Sequence, residues 1–231
     1  MAKILEMKHI SKSFGGSKAL SDVHFEMEEG EVHALLGENG AGKSTLMNIL
    51  TGVIPADSGK IIFMGKEYVT PTIKEMENAG IAFVHQELNV INDLSVADNI
   101  FLRKELKTKF GLIDEKEQIK KTKELFESLG VEMNPSEMVS NLKTSEKQLL
   151  EICKALYSDA KLLILDEPTT ALSNDEIDHL FGILNRLKKT GKSFVFISHK
   201  MPEIFAIADR YTVFRNGQFI SSGRIKDVDA Q

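Results

Sequence analysis

The clearest chemistry in this sequence lies in nine consecutive residues: Gly37, Glu38, Asn39, Gly40, Ala41, Gly42, Lys43, Ser44 and Thr45. They fit the pattern G-x-x-x-x-G-K-[ST], in which glycines let consecutive backbone N–H groups turn inward around phosphate oxygens. We call residues 37–45 the phosphate loop. Lys43 is expected to reach the β and γ phosphates of a nucleotide, and the Ser44 hydroxyl to bind Mg²⁺.

The residues on either side of the phosphate loop favour this interpretation. Residues 31–36 are typical of a strand, and residues 44–50 are typical of a helix whose positive end would face the anion. A chance match, expected in roughly 1% of chains this long, is the competing explanation. The flanking strand and helix argue against chance.

Two adjacent carboxylates, Asp166 and Glu167, follow an apolar strand predicted over residues 161–165. In nucleotide hydrolases a carboxylate at such a place holds Mg²⁺, usually through a water molecule. We therefore predict that Asp166 serves the metal and that Glu167 is the general base on the attacking water. A solvated turn is the alternative for an isolated pair of this kind, and the phosphate loop weakens it.

Two further polar residues follow predicted core strands. His199 comes after a strand at residues 193–197, so it should emerge at the same sheet edge as Asp166 and can donate a hydrogen bond to the γ phosphate. A lone histidine is more often structural, and the position of this one favours function. Gln86 follows a strand at residues 81–84, where its amide can bind the metal or water and sense the γ phosphate. A plain polar strand end is an equal alternative for Gln86.

Composition limits the class of protein. The chain has 231 residues, 42% of them hydrophobic and 27% charged, with a formal net charge of -5, so nothing suggests a nucleic-acid surface. The single cysteine, Cys153, excludes a disulfide framework and is expected to be a buried, inert thiol in a reducing compartment. The N-terminal residues contain no apolar signal region, and no run approaches the ~20 apolar residues that cross a bilayer.

Strand and helix patterns alternate along most of the chain, which indicates a mainly parallel sheet covered on both faces. From about residue 88 to 158 strand patterns disappear and helical patterns dominate. We therefore expect one domain over residues 1–231, with an α/β core formed by 1–87 and 159–231 and a helical subdomain formed by 88–158.

Local signals predict where several elements begin and end. Ser95 and Ser173 each precede an acidic residue at the spacing of a helix capping box, and Gly130 is placed to end a helix. Asn216 and Gly217 predict a type I′ hairpin turn near the C-terminal end.

These features together resemble a known family. The set comprises Phe14 in Ser13-Phe14-Gly15-Gly16, the phosphate loop, Gln86, residues 162–168 and residues 197–200. In that order and spacing, nearly the whole chain resembles the nucleotide-binding domain of an ABC transporter. It is most similar to the sugar-importing ATPases of the ribose, galactose and xylose type, through residues 37–52, 80–89, 94–102 and 197–204.

The resemblance implies a fold and a set of roles. The fold would be an α/β P-loop NTPase core of ABC type, with a mainly parallel sheet, a small antiparallel β region and the inserted helical subdomain. Phe14 would stack on adenine, Gln86 would form the Q-loop, and His199 would be the switch histidine. The ligands would be ATP and Mg²⁺, with Ser44, Gln86 and Asp166 serving the metal.

The resemblance also implies partners. In that group two such domains usually lie in one polypeptide, so this chain would be the N-terminal half and would pair with a second ABC ATPase half. Residues about 87–104 would contact integral membrane permease subunits, and a solute-binding protein would act indirectly. The protein would then work at the cytoplasmic face of the cell membrane, without nucleic acid.

The signature motif departs from the family. Where Leu-Ser-Gly-Gly-Gln is expected, the chain has Leu142-Lys143-Thr144-Ser145-Glu146-Lys147-Gln148. Lys143 replaces the serine, and Ser145 adds a side chain where a glycine backbone should closely approach a partner's γ phosphate. A drifted, inert loop is the favoured interpretation, and a positive charge brought by Lys143 is the alternative. Ser173 also stands where many members have aspartate.

These observations predict an ATP-hydrolysing subunit that powers import of a sugar or sugar-like solute, with Lys43, Glu167 and His199 as the catalytic residues. The two ATP sites of the full protein would be unequal, because the site completed by residues 142–148 would hydrolyse poorly. One alternative is a nucleotide-dependent assembly switch with little hydrolysis. A second alternative, an ATPase acting on ribosomes or DNA, is disfavoured by the charge.

Overall fold

The structure is a computed structural model, and it describes residues 3–228. The ends of the predicted domain, residues 1–2 and 229–231, lie outside the described residues. The strands are β1 (Lys3–Phe14), β2 (Ser17–Glu28), β3 (Val32–Leu36), β4 (Ser58–Phe63), β5 (Lys66–Tyr68), β6 (Ile81–Val84), β7 (Leu162–Asp166), β8 (Ser193–Ile197), β9 (Arg210–Arg215) and β10 (Gln218–Arg224). The helices are α1 (Lys43–Leu50), α2 (Ile73–Ala79), α3 (Val96–Phe101), α4 (Glu115–Leu129), α5 (Thr144–Tyr157), α6 (Asn174–Lys188) and α7 (Met201–Ile207).

The chain divides into two compact units. The first comprises Met1–Phe83, Ala160–Glu167 and Asn185–Gln231, and the second comprises Val84–Asp159 and Pro168–Leu184. The predicted helical subdomain at residues 88–158 falls within the second unit, which also takes in the first part of α6. The predicted boundaries at residues 87 and 159 stay a prediction.

The central sheet of the α/β core has six strands, in the order β10-β9-β3-β8-β7-β6. Strands β7 and β8, β8 and β3, and β3 and β9 run parallel, whereas β9 and β10 form an antiparallel hairpin. The central strands are almost continuously apolar and buried, as expected for strands covered on both faces. The predicted α/β class with a mainly parallel sheet is confirmed.

A second, antiparallel sheet has the order β2-β1-β4-β5 and belongs to the first unit. Residues on its inner face, such as Met7, Val23 and Phe25, pack with residues of α1 and of the central sheet in one apolar core. Strands β1 and β2 have 12 residues each, and bulges interrupt the ladder between them without ending it.

The second unit is helical, and its helices begin and end where the local signals predict. Ser95 caps α3 by accepting the backbone N–H of Asp98, and Gly130 ends α4 in a left-handed conformation. Cys153 lies on α5 and is completely buried, as predicted, and burial raises the pKa of its thiol to about 12, which disfavours the reactive thiolate. Among residues 3–228 no helix combines the length and apolarity that crossing a membrane requires.

Candidate functional site

The phosphate loop connects β3 to α1, and its glycines are required by its conformation. Gly37 and Gly42 have φ values of +149° and +101°. A Cβ at Gly37 would lie 2.4 Å from the Phe214 carbonyl oxygen, and one at Gly42 would lie 2.6 Å from Leu20 Cδ2. At Gly40, where φ is +80°, no atom lies within 4 Å of the corresponding position, so this part of the loop has an open side.

Some residues of the phosphate loop are buried and others are exposed. Ala41 and Gly42 are buried, Gly37, Lys43 and Thr45 are half-buried, and Glu38, Asn39, Gly40 and Ser44 are exposed. Ala41 and Gly42 therefore anchor the loop, while the Ser44 hydroxyl is accessible to a ligand.

Helix α1 begins in a way that leaves its positive end to an anion. Gly42 is the N-cap and makes no side-chain hydrogen bond, and its carbonyl accepts the Leu46 N–H at 2.9 Å. No acidic side chain of α1 itself lies in its first turn, and the backbone N–H groups at such a helix start can bind an anion.

Lys43 is held against the loop and close to the carboxylates that follow β7. Its Nζ donates to the carbonyl oxygens of Gly37 at 2.7 Å and Glu38 at 3.1 Å. Burial lowers the pKa of Lys43, and the negative charges of Asp166 and Glu167 partly oppose that effect. Lys43 therefore shares one electrostatic environment with both predicted acidic residues.

Glu167 and His199 meet at the edge of the central sheet. Asp166 pairs with Ile197 in the parallel ladder of β7 and β8, so the residues that follow both strands emerge together. His199 Nδ1 lies 2.9 Å from Glu167 Oε1. Glu167 has a φ of 47°, a left-handed conformation that is uncommon outside glycine, and its N–H donates to Ile197 O at 2.9 Å. The imidazole is 68% exposed and the carboxylate 21%, so the pair faces outward from a fixed backbone.

The remaining predicted site residues lie elsewhere in the fold. Phe14 ends β1 and is 50% exposed, with the Lys12 ammonium 5.5 Å from the centre of its ring. Its exposed face can stack on a base, as the sequence resemblance implies. Gln86 follows β6 as an exposed residue of the second unit, whereas the other predicted site residues belong to the first.

The donor groups named for Mg²⁺ are chemically suited to it. A hydroxyl from Ser44, a carboxylate from Asp166 and an amide oxygen from Gln86 are hard oxygen ligands, which Mg²⁺ prefers together with phosphate oxygens. None of the three donors is a soft or nitrogen ligand in the predicted role. The residues therefore fit the ion, and their roles toward it stay a prediction.

The structure also reveals a supporting residue that sequence reasoning missed. Gly217, in the β9–β10 turn, donates its N–H to Ala41 O at 3.1 Å and accepts the Ser21 N–H at 2.8 Å. A Cβ at Gly217 would lie 2.4 Å from Ala19 O. Asn216 and Gly217 both have positive φ, which confirms the type I′ turn. The sequence predicts the turn and carries no local signal that it supports the phosphate loop.

The signature region, residues 142–148, includes the start of α5, where the chain's own carboxylates lie close to the helix N-terminus. Lys143 is the exposed N-cap of α5, and its backbone N–H donates to Glu146 Oε2 at 2.7 Å. Hydrogen bonds from the Ser173 backbone and hydroxyl, and from the Ser145 hydroxyl, lower the pKa of the Glu176 carboxyl. The Glu146 and Glu176 carboxylates thus accept hydrogen bonds from the Lys143 backbone N–H and the Ser145 hydroxyl.

Comparison with known proteins gives the family. Residues 20–170 match the family model described as ABC transporter. The chain belongs to the ABC transporter family. It is 50% identical over 97% of its length to the ribose import ATP-binding protein RbsA of Lacticaseibacillus paracasei, and 49% identical to that of Bacillus licheniformis. It is 45% identical to a putative ribose/galactose/methyl galactoside import ATP-binding protein of Burkholderia cenocepacia.

Solved structures of ABC cassettes have the same fold. A nucleotide-free ATP-binding cassette from an ABC transporter matches 98% of this chain and 95% of its own, with a TM-score of 0.87 and 28% identity. A component of a Clostridium perfringens ABC transporter complex matches 98% of this chain and 90% of its own, with a TM-score of 0.84 and 26% identity. The domain is therefore an ABC-type ATP-binding domain of the ATPase class. It spans about half the length of the curated relatives, 45% of the Lacticaseibacillus paracasei protein and 46% of the Bacillus licheniformis protein.

Proposed function

We propose that this ABC domain is the N-terminal ATP-hydrolysing half of a tandem protein that powers import of a sugar or sugar-like solute. The Glu167–His199 pair, 2.9 Å apart beside the phosphate loop, carries the proposal of hydrolysis. The names of the relatives, which are ribose or ribose/galactose import proteins, support a sugar as the solute.

Each catalytic residue has a task that its position allows. Lys43 neutralises charge on the transferred phosphate, and it already lies in the field of Asp166 and Glu167. Glu167 takes a proton from the attacking water, and the left-handed backbone at this residue fixes the direction of its carboxylate. His199 orients that carboxylate through its Nδ1 contact, and donation from Nε2 to the γ phosphate at the same time requires a second N–H on the ring.

Mg²⁺ completes the nucleotide site in this proposal. Ser44, Asp166 and Gln86 would hold the ion, directly or through water, and it would supply charge neutralisation for the phosphates when bound. Phe14 would hold the adenine by stacking, because an aromatic ring that is 50% exposed at a hairpin end offers an accessible face.

The partners follow from the length of the relatives and from the family. The second half of the protein, absent from this sequence, would supply the signature motif for the ATP bound here. Membrane permease subunits would contact residues about 87–104, where Ile91 is an exposed apolar side chain, at the cytoplasmic face of the membrane. A separate solute-binding protein would deliver the sugar.

The two ATP sites of the tandem protein would be unequal. At the start of α5, the Glu146 and Glu176 carboxylates accept hydrogen bonds from the Lys143 backbone N–H and the Ser145 hydroxyl, and they put negative charge where a partner's phosphate would approach. The site that residues 142–148 complete would therefore turn over slowly. The alternative of an assembly switch with little hydrolysis has no support from the fold or from the relatives, and the Glu167–His199 pair argues against it.

Uptake by a reconstituted transporter tests this function. The full-length protein and its membrane subunits would be placed in proteoliposomes with the solute-binding protein, and uptake of labelled ribose, galactose and xylose would be measured. We expect uptake that requires ATP, that Lys43→Ala abolishes and that Lys60→Ala leaves intact, because Lys60 lies in an exposed ion pair with Glu67. An assembled complex that hydrolyses ATP and imports no sugar would remove the proposal of sugar import.

A further inference from the structure

Three side chains of metal-ligand type meet on the outer face of the antiparallel sheet, away from the residues proposed for ATP. They are His9 on β1 and Asp22 and His24 on β2. One ligand atom from each lies within 4.8 Å of the other two, and all three residues are exposed. His9 Nδ1 is 2.8 Å from Asp22 Oδ1, and the rings of His9 and His24 have their centres 4.4 Å apart in an edge-to-face arrangement.

A β-bulge on β1 brings the two histidines together. Between two paired positions of the ladder, β1 has Lys8 and His9 where β2 has only His24. The flanking pairs are Met7 with Phe25 and Ile10 with Val23. In a regular ladder one residue would oppose His24, so the extra residue redirects the His9 side chain.

A second bulge, on β2, includes Asp22, the residue with the carboxylate. Between the pair of Ile10 with Val23 and the pair of Lys12 with Leu20, β2 has Ser21 and Asp22 where β1 has Ser11. The two bulges are adjacent and lie on opposite strands. Asp22 and His24, two residues apart on β2, share a face by ordinary alternation, whereas His9 reaches that face because of the bulge on β1.

The backbone is held in an unusual conformation at two of the three residues. His9 has a φ of 57° and Asp22 a φ of 48°, both in the left-handed region that favours glycine. Such residues cost free energy and persist where the surroundings impose them, commonly at ligand sites. Here each of the two bulges contains one of these residues.

We propose that His9, Asp22 and His24 form a binding site for a divalent transition metal ion of the Zn²⁺ class, which would link β1 to β2. Two imidazole nitrogens and one carboxylate oxygen are a ligand set typical of Zn²⁺, with a fourth position left for water. Mg²⁺ is not expected to bind there, because it prefers oxygen ligands in octahedral geometry. This site is independent of ATP hydrolysis and does not rest on the proposed function.

Zinc titration of the tag-free, full-length protein without nucleotide tests the site. Calorimetry and thermal unfolding would be run with ZnCl₂ and with MgCl₂. We expect Zn²⁺ to bind and raise the unfolding temperature, whereas Mg²⁺ does neither at this site. His9→Gln and His24→Gln should each weaken Zn²⁺ binding at least about tenfold, and the unfolding temperature without metal should change little because both side chains are exposed.

Two control variants separate this site from other histidines. His179→Gln removes an exposed histidine of α6 and should leave Zn²⁺ affinity unchanged. His199→Gln tests whether the ion binds at the Glu167–His199 pair instead. Zn²⁺ affinity that is unchanged in both His9→Gln and His24→Gln, or lost only in His199→Gln, would overturn the proposal, as would an absence of binding to the unmodified protein.

Discussion

Helices α1 and α5 differ in the residues that surround their N-termini. Helix α1 follows a loop of glycines, has no acidic residue in its first turn and has a glycine N-cap without a side-chain hydrogen bond. Helix α5 begins at Lys143 with Glu146 in its first turn, and the Glu146 carboxylate accepts the Lys143 backbone N–H at 2.7 Å. The start of α1 therefore has no acidic side chain of its own helix beside it, whereas the start of α5 has a carboxylate that accepts the backbone N–H of its N-cap residue.

A helix N-terminus attracts an anion less strongly when a carboxylate of the chain already lies beside it. Every helix start has N–H groups and a positive partial charge, so the motif position alone does not decide the function. The carboxylates that surround the start of α5 reduce its attraction for a partner's phosphate. The contrast supports unequal ATP sites, and the following variants test each side of it.

The largest effect is expected at the phosphate loop. Lys43→Ala removes the ammonium that contacts the loop carbonyls of Gly37 and Glu38. ATP affinity should fall by about 2–5 kcal/mol, or roughly 30-fold to several thousand-fold, because buried phosphate charge loses its partner. Binding of a fluorescent ATP analogue would measure the loss. Lys60→Ala is the control, and an equal loss in both variants would mean that the loop is not the nucleotide site.

Gly42→Ala is expected to cost less. The added Cβ would stand 2.6 Å from Leu20 Cδ2 with φ at +101°, so the loop must shift. We expect a loss of about 1–3 kcal/mol in the free energy of unfolding, together with weaker ATP binding. Gly65→Ala is a matched control, since its φ is +78° and nothing lies within 4 Å. If both variants lose the same stability and affinity, close packing is not what requires Gly42.

The other side of the comparison is tested by restoring a signature motif. Residues 143–147 would be replaced with Ser-Gly-Gly-Gln-Gln in the full-length protein, which removes both Lys143 and Ser145. The steady-state ATPase rate should hold or rise, because the carboxylate-bonded start of α5 is replaced by one open to phosphate. A fall in the ATPase and transport rates would show that the native residues are adapted and not inert.

The smallest effect is expected from Ser173→Ala, next to the Glu176 carboxylate that accepts a hydrogen bond from Ser145. Hydrogen bonds from Ser173 and Ser145 lower the pKa of the Glu176 carboxyl, so its charged form stabilises the fold above the ordinary glutamate value of about 4.3. That stabilisation is lost as the pH falls through the lowered folded-state pKa. Ser173→Ala should cost about 0.5–2 kcal/mol at pH 7, mainly because the helix loses its cap, and slightly less in acid because solvent screens the charge of the exposed Glu176, as measured by thermal unfolding. If the cost is the same at every pH, Ser173 stabilises the fold only by capping the helix, and the charge of Glu176 does not contribute.

The sequence predicts most of this architecture because its signals are local. Glycine and proline positions, capping residues and apolar runs gave the elements, as at α3, where the Ser95 cap is confirmed. The phosphate loop and the convergence of the residues after β7 and β8 follow from strand topology. Residues without a local signal were missed. Gly217 supports Ala41 across the fold, and the double bulge that collects His9 and Asp22 depends on the register of two strands.

The most direct test is the steady-state Mg²⁺-ATPase rate of the full-length protein carrying Glu167→Gln. If the site formed by this domain's phosphate loop does nearly all the turnover, removing its general base should reduce the rate by about 100-fold or more while ATP binding persists. If the site completed by residues 142–148 were equally active, about half of the rate would remain. A rate near half of the unmodified value would contradict unequal sites.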